Sequence, residues 1–427
     1  MSDALTIDVA RVIADLDELA AASGGRFAGA KRLAWSKDWR TARAWLRGKL
    51  AELPVDVQED AAGNLWATLE GANDDGGFVI VGSHIDAVPN GGWLDGVLGV
   101  TAALGVLRAL AAADTPAAVT VKLVDWADEE GARFGRSLVG SSAVAGTLDP
   151  DDVRDLRDAG GVRLEDALAE NGIDLAAAAT NARAQLDGAL AYFELHIEQG
   201  PVLLDTGRLA SAVAGTVGDE RYLIDFTGQA AHAGSTPMHL RRDTLAAAAI
   251  AALEIREVGI RHGGVTTVGS MRSTPGVITA VAGTTEMMLD MRHLDAEVLA
   301  AMLADCKTAI AAAAAEFDCQ VSINRVFGAT PTPFHPTLVQ LAREAVAAAG
   351  GGDGEPIPSG PLHDATEVGR LVPSVMLFAQ SDPPLSHTEI EDSPDDALRV
   401  AIEAYGRTVG AALPLIAAGD LDKKAKA

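Results

Sequence analysis

The sequence has few cysteines and few basic residues, and each shortage excludes a class of protein. Cys306 and Cys319 are the only cysteines in 427 residues. Their spacing is not that of a Cys-x-x-Cys zinc or redox site, so both are expected to be buried structural thiols. The formal net charge of −26 repels phosphate backbones and anionic membranes. We therefore expect neither a nucleic-acid partner nor a membrane partner.

Long uncharged apolar runs are also missing. No stretch reaches about 18 apolar residues, the length that a transmembrane helix needs, and the longest candidate, 245–255, contains Glu254. The first 20 residues carry acids and lack the apolar core of a secretory signal. A reducing, cytoplasmic location is therefore expected. Apolar residues nevertheless make up 48% of the chain, which indicates a globular protein with large cores.

The chain contains helix and strand patterns of two kinds. Residues 1–212 and 329–427 alternate buried apolar strands with helices, which predicts an α/β domain. Residues 213–328 show the order β-α-β-β-α-β, which is typical of the ferredoxin-like unit. The prediction is a catalytic domain formed by 1–212 and 329–427, into which an α+β ferredoxin-like domain, 213–328, is inserted.

Side chains of the metal-binding type follow the apolar strands of the first domain. The strand pattern at 78–81 leads to His84 and Asp86 and, after a Gly-rich turn, to Asp95. Ligands of open α/β sheets bind at this end of the strands. Further groups of the same type follow the other strands: Glu129 and Glu130 after 119–126, His196 in 191–197, and His387 after 374–380. Two metal sites could share a bridging aspartate and polarise a carbonyl between ions about 4 Å apart.

The donor types restrict the metal, but each residue also has a plainer interpretation. Imidazole and carboxylate without thiolate suit Zn²⁺, with Mn²⁺ or Co²⁺ as alternatives. A single histidine at a strand end is more often an ordinary hydrogen-bonded residue, and the acidic triplet 128–130 alone fits a solvated loop equally well. A metal site is favoured because all of these groups fall at the ends of strands in one inferred sheet.

Six segments carry a resemblance to a known family. They are GSHIDAVPNGGWLDG, DEEGARFGRSLVGSSAVAG, ELHIEQGP, GQAAHAGSTPM, LDMR and LSHTE. In this order they resemble the N-carbamoyl-L-amino-acid hydrolase, allantoate amidohydrolase and β-ureidopropionase family of the dinuclear-zinc aminoacylase and carboxypeptidase clan. The resemblance spans residues 25–410. It implies a mixed-sheet, zinc-peptidase-like catalytic domain whose insert serves as a lid and dimerisation domain.

The resemblance implies a metal-dependent mechanism. Two divalent ions per chain, with Zn²⁺ as the first choice, would be held by His84 and His196 at one site and by Glu130 and His387 at the other. Asp95 would bridge the two sites.

It also implies roles for the residues around the ions. Asp86 would orient His84, and Glu129 would be the general base, taking a proton from the metal-bridging water and returning it to the leaving nitrogen. His232 of the insert would stabilise the oxyanion. Because this histidine often reaches the partner subunit's site in relatives, a homodimer formed through the lid domain is implied.

The expected substrate is a small molecule with a carboxylate. The resemblance implies that Arg292 binds this carboxylate and that Gln199 lines the pocket. Strand alternation agrees, because it places Asp290 and Arg292 on the opposite face from Met291, and that face could be open. The alternative is an ion pair between Arg292 and Asp290 or another acid.

The pocket motifs depart from the family pattern. Thr279 stands where relatives have a substrate-contacting asparagine, and Leu362 replaces a glycine just before His363. Leu385 precedes Ser386 where relatives have a glycine. These departures predict a more apolar pocket around unaltered metal ligands.

The sequence therefore predicts an amidohydrolase that cleaves a linear C–N bond, carbamoyl or related, of an N-substituted amino acid. One alternative is an aminoacylase or dipeptidase of the same clan, which cleaves an N-acyl amide. The alternative from another class is a binding or scaffolding protein that has lost activity, which would bind fewer than one metal ion per chain.

The altered pocket motifs generate a prediction about substrate choice. Because the altered motifs make the pocket walls more apolar, we expect the best substrate to carry a bulkier or less polar group than a simple N-carbamoyl amino acid or allantoate. A panel of N-carbamoyl, N-formyl and N-acyl compounds, compared by kcat/KM on the metal-reconstituted enzyme, measures this. Best turnover of allantoate or N-carbamoyl-β-alanine would contradict it.

Overall fold

A computed structural model describes residues 5–23, 25–72 and 77–421. The chain divides into two compact units, residues 1–215 with 334–427 and residues 216–333. The predicted role of the insert as a lid and dimerisation domain stays a prediction.

The elements are numbered in chain order. The first part of the chain contains α1 Val9–Ala22, α2 Lys37–Leu50, β1 Asp56–Glu59, β2 Leu65–Leu69, β3 Phe78–His84, α3 Val97–Ala111, β4 Thr120–Trp126, α4 Val139–Ala145, α5 Pro150–Val153, α6 Leu164–Glu170, α7 Leu175–Asn181, β5 Ala189–Ile197, α8 Val202–Asp205 and β6 Ala210–Thr216. The middle part contains β7 Gly218–Thr227, β8 Ala231–His232, α9 Thr244–His262, β9 Val265–Thr274, β10 Ala280–Val281, β11 Thr284–His293, α10 Ala296–Glu316, β12 Gln320–Ala329 and β13 Thr332–Pro333. The last part contains α11 Pro336–Ala348, β14 Ile357–Ser359, α12 Asp364–Val368, β15 Ser374–Ala379 and α13 Asp395–Ala417.

The sheet of the first unit is mixed, with parallel strands at its centre. Its strands run in the order β1-β2-β4-β3-β5-β15-β6, and β14 also pairs with β6. Strands β4, β3, β5 and β15 pair in parallel, whereas β2 and β6 join them antiparallel. Every residue of β3 is buried, as expected of a central parallel strand covered on both faces. The parallel strands therefore deliver their following loops to one edge, and the predicted mixed-sheet α/β class is confirmed.

The second unit is an antiparallel sheet with two helices. Its strand order is β12-β7-β11-β9, and α9 and α10 share a separate core with it. The β-α-β-β-α-β order predicted from the sequence is present. The short pair β8–β10 was not predicted, because two-residue strands leave no periodic signal.

Strand β6 was also missed. Its sequence, ASAVAGT, consists mainly of small residues with no clear alternation. It is a strand because it pairs with β15, far away in the sequence, and this is a tertiary effect.

Within the described part of the chain, two helices, α10 and α13, are long and apolar enough to cross a membrane by length and composition alone. In α10 the buried positions Leu299, Met302, Cys306 and Ile310 recur at helical spacing and pack in the core of the second unit. This spacing accounts for its apolar composition, since a core helix needs such a stripe. Cys306 is buried as predicted, whereas Cys319 is only partly buried.

One buried ion pair connects helix α2 to strand β4 of the sheet. Arg43 donates to Asp125 Oδ2 at 2.7 Å and to the Gly63 carbonyl at 2.6 Å. Asp125 Oδ1 in turn accepts from the Ile85 backbone N–H at 2.9 Å. The Arg43 side chain is 5% exposed and that of Asp125 is 0% exposed.

Removal of one partner should therefore be costly. We expect Arg43→Ala to lower the free energy of unfolding by about 3–5 kcal/mol, because it leaves the Asp125 carboxylate buried and unpaired. Arg47→Ala is the matched control on the same helix. Its side chain is 41% exposed and pairs with exposed Glu59, so its loss should cost about 0–1 kcal/mol. Urea unfolding followed by tryptophan fluorescence compares them, and equal losses would contradict the expectation.

Candidate metal centre

The ends of the four parallel strands bring together the predicted metal ligands of the first unit. Among the residues that the structure describes, two groups of donor atoms form there, and in each group the atoms lie within 4.8 Å of one another. The two groups share one carboxylate; they consist of His84, Asp95 and His196, and of Asp95, Glu130 and His387.

Asp95 divides its two carboxylate oxygens between the groups. Its Oδ1 lies 3.7 Å from His84 Nε2 and 3.1 Å from His196 Nε2. Its Oδ2 lies 3.6 Å from His387 Nε2, and that same nitrogen lies 3.4 Å from Glu130 Oε2. The Asp95 carboxylate is therefore shared by the two groups of donor atoms.

The loop before α3 can carry Asp95 only because glycine follows it. Gly96 has a φ of +68°, a left-handed conformation that side chains disfavour. A Cβ atom at Gly96 would lie 2.4 Å from the His84 ring. Glycine therefore permits both the turn into α3 and the close approach of Asp95 to His84.

Backbone carbonyls orient the two buried imidazoles. Nδ1 of His84 lies 3.1 Å from the Asp86 carbonyl, and Nδ1 of His196 lies 2.9 Å from the Ile197 carbonyl. Each Nε2 is thereby turned toward Asp95. Burial lowers the pKa of His84 to about 3, so its ring is neutral. Its Nε2 has no hydrogen-bond partner among the described residues, which costs free energy at a buried site unless a ligand binds there.

Carboxylates crowd the same edge. Burial, together with the nearby charges of Asp95 and Asp86, raises the pKa of Glu130 well above its ordinary value. Burial likewise raises the pKa of Glu129, with Asp364 and Glu130 as the largest contributing charges. A bound cation would relieve this repulsion. The neutral imidazole of His84, its orphaned Nε2 and the crowded carboxylates together fit divalent metal ions.

Asp86 lies beside His84, but its carboxylate has further partners. Its Oδ1 accepts from the Glu129 N–H at 3.2 Å, and its Oδ2 accepts from the Glu130 N–H at 3.1 Å. The carboxylate lies 3.6 Å from His84 Nδ1. The same nitrogen lies closer, at 3.1 Å, to the backbone carbonyl oxygen of Asp86. Asp86 thus connects the loop after β3 to the acidic loop after β4.

The predicted substrate residues of the first unit lie in different environments. Gln199 donates to Asp95 Oδ2 and to Ser386 Oγ, both at 3.0 Å, so its amide group holds a candidate ligand in place. His363 is buried, with its ring centroid 4.5 Å from that of His196. Leu362 and Leu385 are both exposed.

Three predicted residues lie in the second unit. His232 is exposed, and its Nδ1 accepts from the N–H groups of Gly234 and Ser235. Thr279 is exposed next to β10. Arg292 donates to both carboxylate oxygens of Asp290, at 2.9 and 3.2 Å. The ion pair that the sequence left as the alternative is therefore present.

Two buried residues near the site were missed. Glu391 is 0% exposed and bonds to the loops that carry Asp95 and His387. The sequence does not distinguish it from the exposed Glu389 in the same acidic stretch. Arg32 is 1% exposed and donates to the Ile85 carbonyl at 2.7 Å. A buried arginine has no local sequence signal.

Comparison with known proteins identifies the family. The sequence profile described as peptidase family M20/M25/M40 matches residues 80–411. The chain belongs to this family. Members of the family depend on metal ions, in agreement with the donor groups described above.

The similar proteins cover nearly the whole chain. An N-carbamoyl-L-amino acid amidohydrolase of Geobacillus stearothermophilus is 36% identical over 89% of this chain and 93% of its own length. An allantoate amidohydrolase of Escherichia coli is 33% identical over 88% and 92%. The crystal structure of a hydantoinase/carbamoylase family amidase from Burkholderia multivorans aligns with a TM-score of 0.84 at 31% identity, covering 97% of this chain and 98% of that one. The predicted family and hydrolase class are confirmed.

The shared carboxylate generates a prediction about metal content. We expect the metal-free protein to take up two Zn²⁺ ions per chain and Asp95→Ala to take up about one or none, because both groups lose a ligand. Elemental analysis after dialysis measures this. Asp187→Ala, which removes an exposed acid of the same unit, is the control. Unchanged metal content in Asp95→Ala would contradict the assignment.

Proposed function

We propose that this protein is a dinuclear metal amidohydrolase that cleaves a linear C–N bond of an N-carbamoyl or related N-substituted amino acid. The observation that carries this proposal is the division of the Asp95 oxygens between two imidazole-containing groups. Relatives named for the hydrolysis of N-carbamoyl amino acids and of allantoate support the substrate class.

His84 and His196 would hold one ion, Glu130 and His387 the other, and Asp95 both. The donor set suits Zn²⁺, with Mn²⁺ or Co²⁺ as alternatives. When bound, two such ions polarise the scissile carbonyl and lower the pKa of the attacking water.

Glu129 is proposed to move the proton. Its Oε2 lies 3.7 Å from His84 Nε2. Glu129 is therefore next to the group formed by His84, Asp95 and His196, but it is not a member of that group. The backbone of Glu129 is held by Asp86. Its raised pKa suits a carboxylate that accepts a proton from water and returns it to the leaving nitrogen. A carbamoyl substrate would then give the amino acid, carbon dioxide and ammonia.

His232 and Arg292 of the second unit are proposed to recognise the substrate. Because Nδ1 of His232 accepts two backbone hydrogen bonds, its proton resides on Nε2. That nitrogen can donate to an oxyanion. Arg292 now pairs with Asp290. To bind the substrate, its guanidinium would give up part of this ion pair and form a bidentate pair with the substrate carboxylate instead.

The pocket residues are proposed to set substrate choice. Gln199, Thr279 and His363 would supply polar contacts, and Leu362 the apolar wall. The exposure of Leu362 is consistent with a side chain that meets a ligand.

We further propose a homodimer formed through the second unit. Leu253 and Ile260 of α9 and Val265 at the start of β9 are all more than half exposed, and β9 is an edge strand. Exposed apolar groups beside an unpaired edge favour association with a second copy. A cytoplasmic location and a lack of nucleic-acid and membrane partners stay predictions.

The second candidate is hydrolysis of an N-acyl amide or dipeptide. The peptidase description of the family favours it, and the same metal centre would serve. Ammonia separates the two functions, because a carbamoyl substrate releases it whereas an acyl amide does not. A coupled ammonia assay with product identification on the reconstituted enzyme decides between them.

Glu129 provides the mechanistic prediction. We expect Glu129→Gln to keep both metal ions and to lower kcat by about 10²–10⁴-fold, because the amide cannot accept the proton. Steady-state kinetics together with elemental analysis measures both quantities. Glu389→Gln, an exposed acid of the same unit, should leave both unchanged. Normal activity in Glu129→Gln would refute the role.

A further inference from the structure

Glu391 joins two loops that are about 300 positions apart in the sequence. One of its carboxylate oxygens, Oε1, accepts from the Asp95 N–H at 3.1 Å. The other, Oε2, accepts from Ser386 Oγ at 2.6 Å and from the His387 N–H at 3.3 Å. The carboxylate therefore uses one oxygen for the loop of each candidate ligand.

The chain makes room for this carboxylate. Glu391 is 0% exposed, and a Cβ atom at Gly92 would lie 1.8 Å from its Oε1. Any side chain at Gly92 would displace Glu391. A buried acid is costly unless hydrogen bonds satisfy it, and these three donors satisfy both of its oxygens.

His387 depends on the same acid for its backbone conformation. Its φ is +57°, in the left-handed region that a residue with a side chain occupies at a cost. The His387 side chain is 54% exposed, so packing does little to hold it. The hydrogen bonds from the His387 N–H and the preceding Ser386 hydroxyl to Glu391 support this turn, together with the bond that Ser386 Oγ accepts from Gln199.

We propose that Glu391 is a positioning residue for the second metal site, the one formed by Asp95, Glu130 and His387. By bonding to the His387 turn, it presents the imidazole to Glu130. The first site needs it less, because His84 and His196 are buried on strands and are oriented by backbone carbonyls. This inference rests on the proposed two-metal function.

The test is the substitution Glu391→Gln. The amide oxygen can still accept from the Asp95 N–H, but the amide nitrogen cannot accept from the His387 N–H. We expect the second equivalent of Zn²⁺ to bind about 10- to 100-fold more weakly, as for other residues that orient metal ligands, while the first equivalent binds as in wild type. Titration of the metal-free protein with Zn²⁺ against a chromophoric chelator separates the two affinities.

Three comparisons make the result decisive. Glu389→Gln, two residues away and exposed, should bind both ions normally. Ser386→Ala removes one of the bonds that Glu391 accepts and should weaken the second ion alone, to a smaller degree; it replaces Glu391→Gln if that variant does not fold. Co²⁺ absorption should show altered coordination at the second site in Glu391→Gln and not in the Glu389 variant.

The outcomes separate the two hypotheses. Two normal affinities in Glu391→Gln, or an equal loss at both sites, would overturn the positioning role. A wild-type protein that binds fewer than two ions would instead refute the two-metal function on which the inference rests.

Discussion

Electrostatic repulsion among buried acids is the constraint on which the site depends. Asp95, Glu129 and Glu130 lie at one sheet edge, and burial with mutual repulsion raises the pKa of both glutamates. Such a cluster is stable in the ionised form only with compensating positive charge. Neutral His84 does not supply this charge. His196, whose pKa is raised to about 9 by its hydrogen bond to Asp95 despite burial, supplies one positive charge against several acids, whereas divalent ions would supply more. The crowding that makes these acids costly to bury is the same feature that would favour a bound metal ion.

The parallel strands bring these groups together, and hydrogen bonds between the loops hold them in position. Strand direction alone places the loops after β3, β4 and β15 at one edge. Three side chains then connect the loops: Asp86 bonds to the acidic loop after β4, Gln199 bonds to Asp95, and Glu391 bonds to both Asp95 and His387. Loops carry varied functional side chains but are more mobile than strands. These hydrogen bonds restore part of the rigidity that the loops lack.

Much of the fold and of the candidate metal site could be predicted because the signals are local. A buried apolar run followed by His84, or by Glu130, is visible within ten residues, and β5 carries His196 within its own pattern. Elements and contacts that depend on distant partners could not be predicted. Strand β6 exists through its pairing with β15. The burial of Glu391, in an acidic stretch whose neighbour Glu389 is exposed, depends on a loop 300 positions earlier.

The sequence by itself determined which donors the site contains, because residue type and position at a strand end are properties of a short segment. Tertiary structure alone decided how they are used. It divided the oxygens of Asp95 between two groups, gave Gln199 and Asp86 partners beyond those expected, and paired Arg292 with Asp290. The physical reason is that a hydrogen bond or an ion pair is defined by distances of about 3 Å, which only the packed chain establishes.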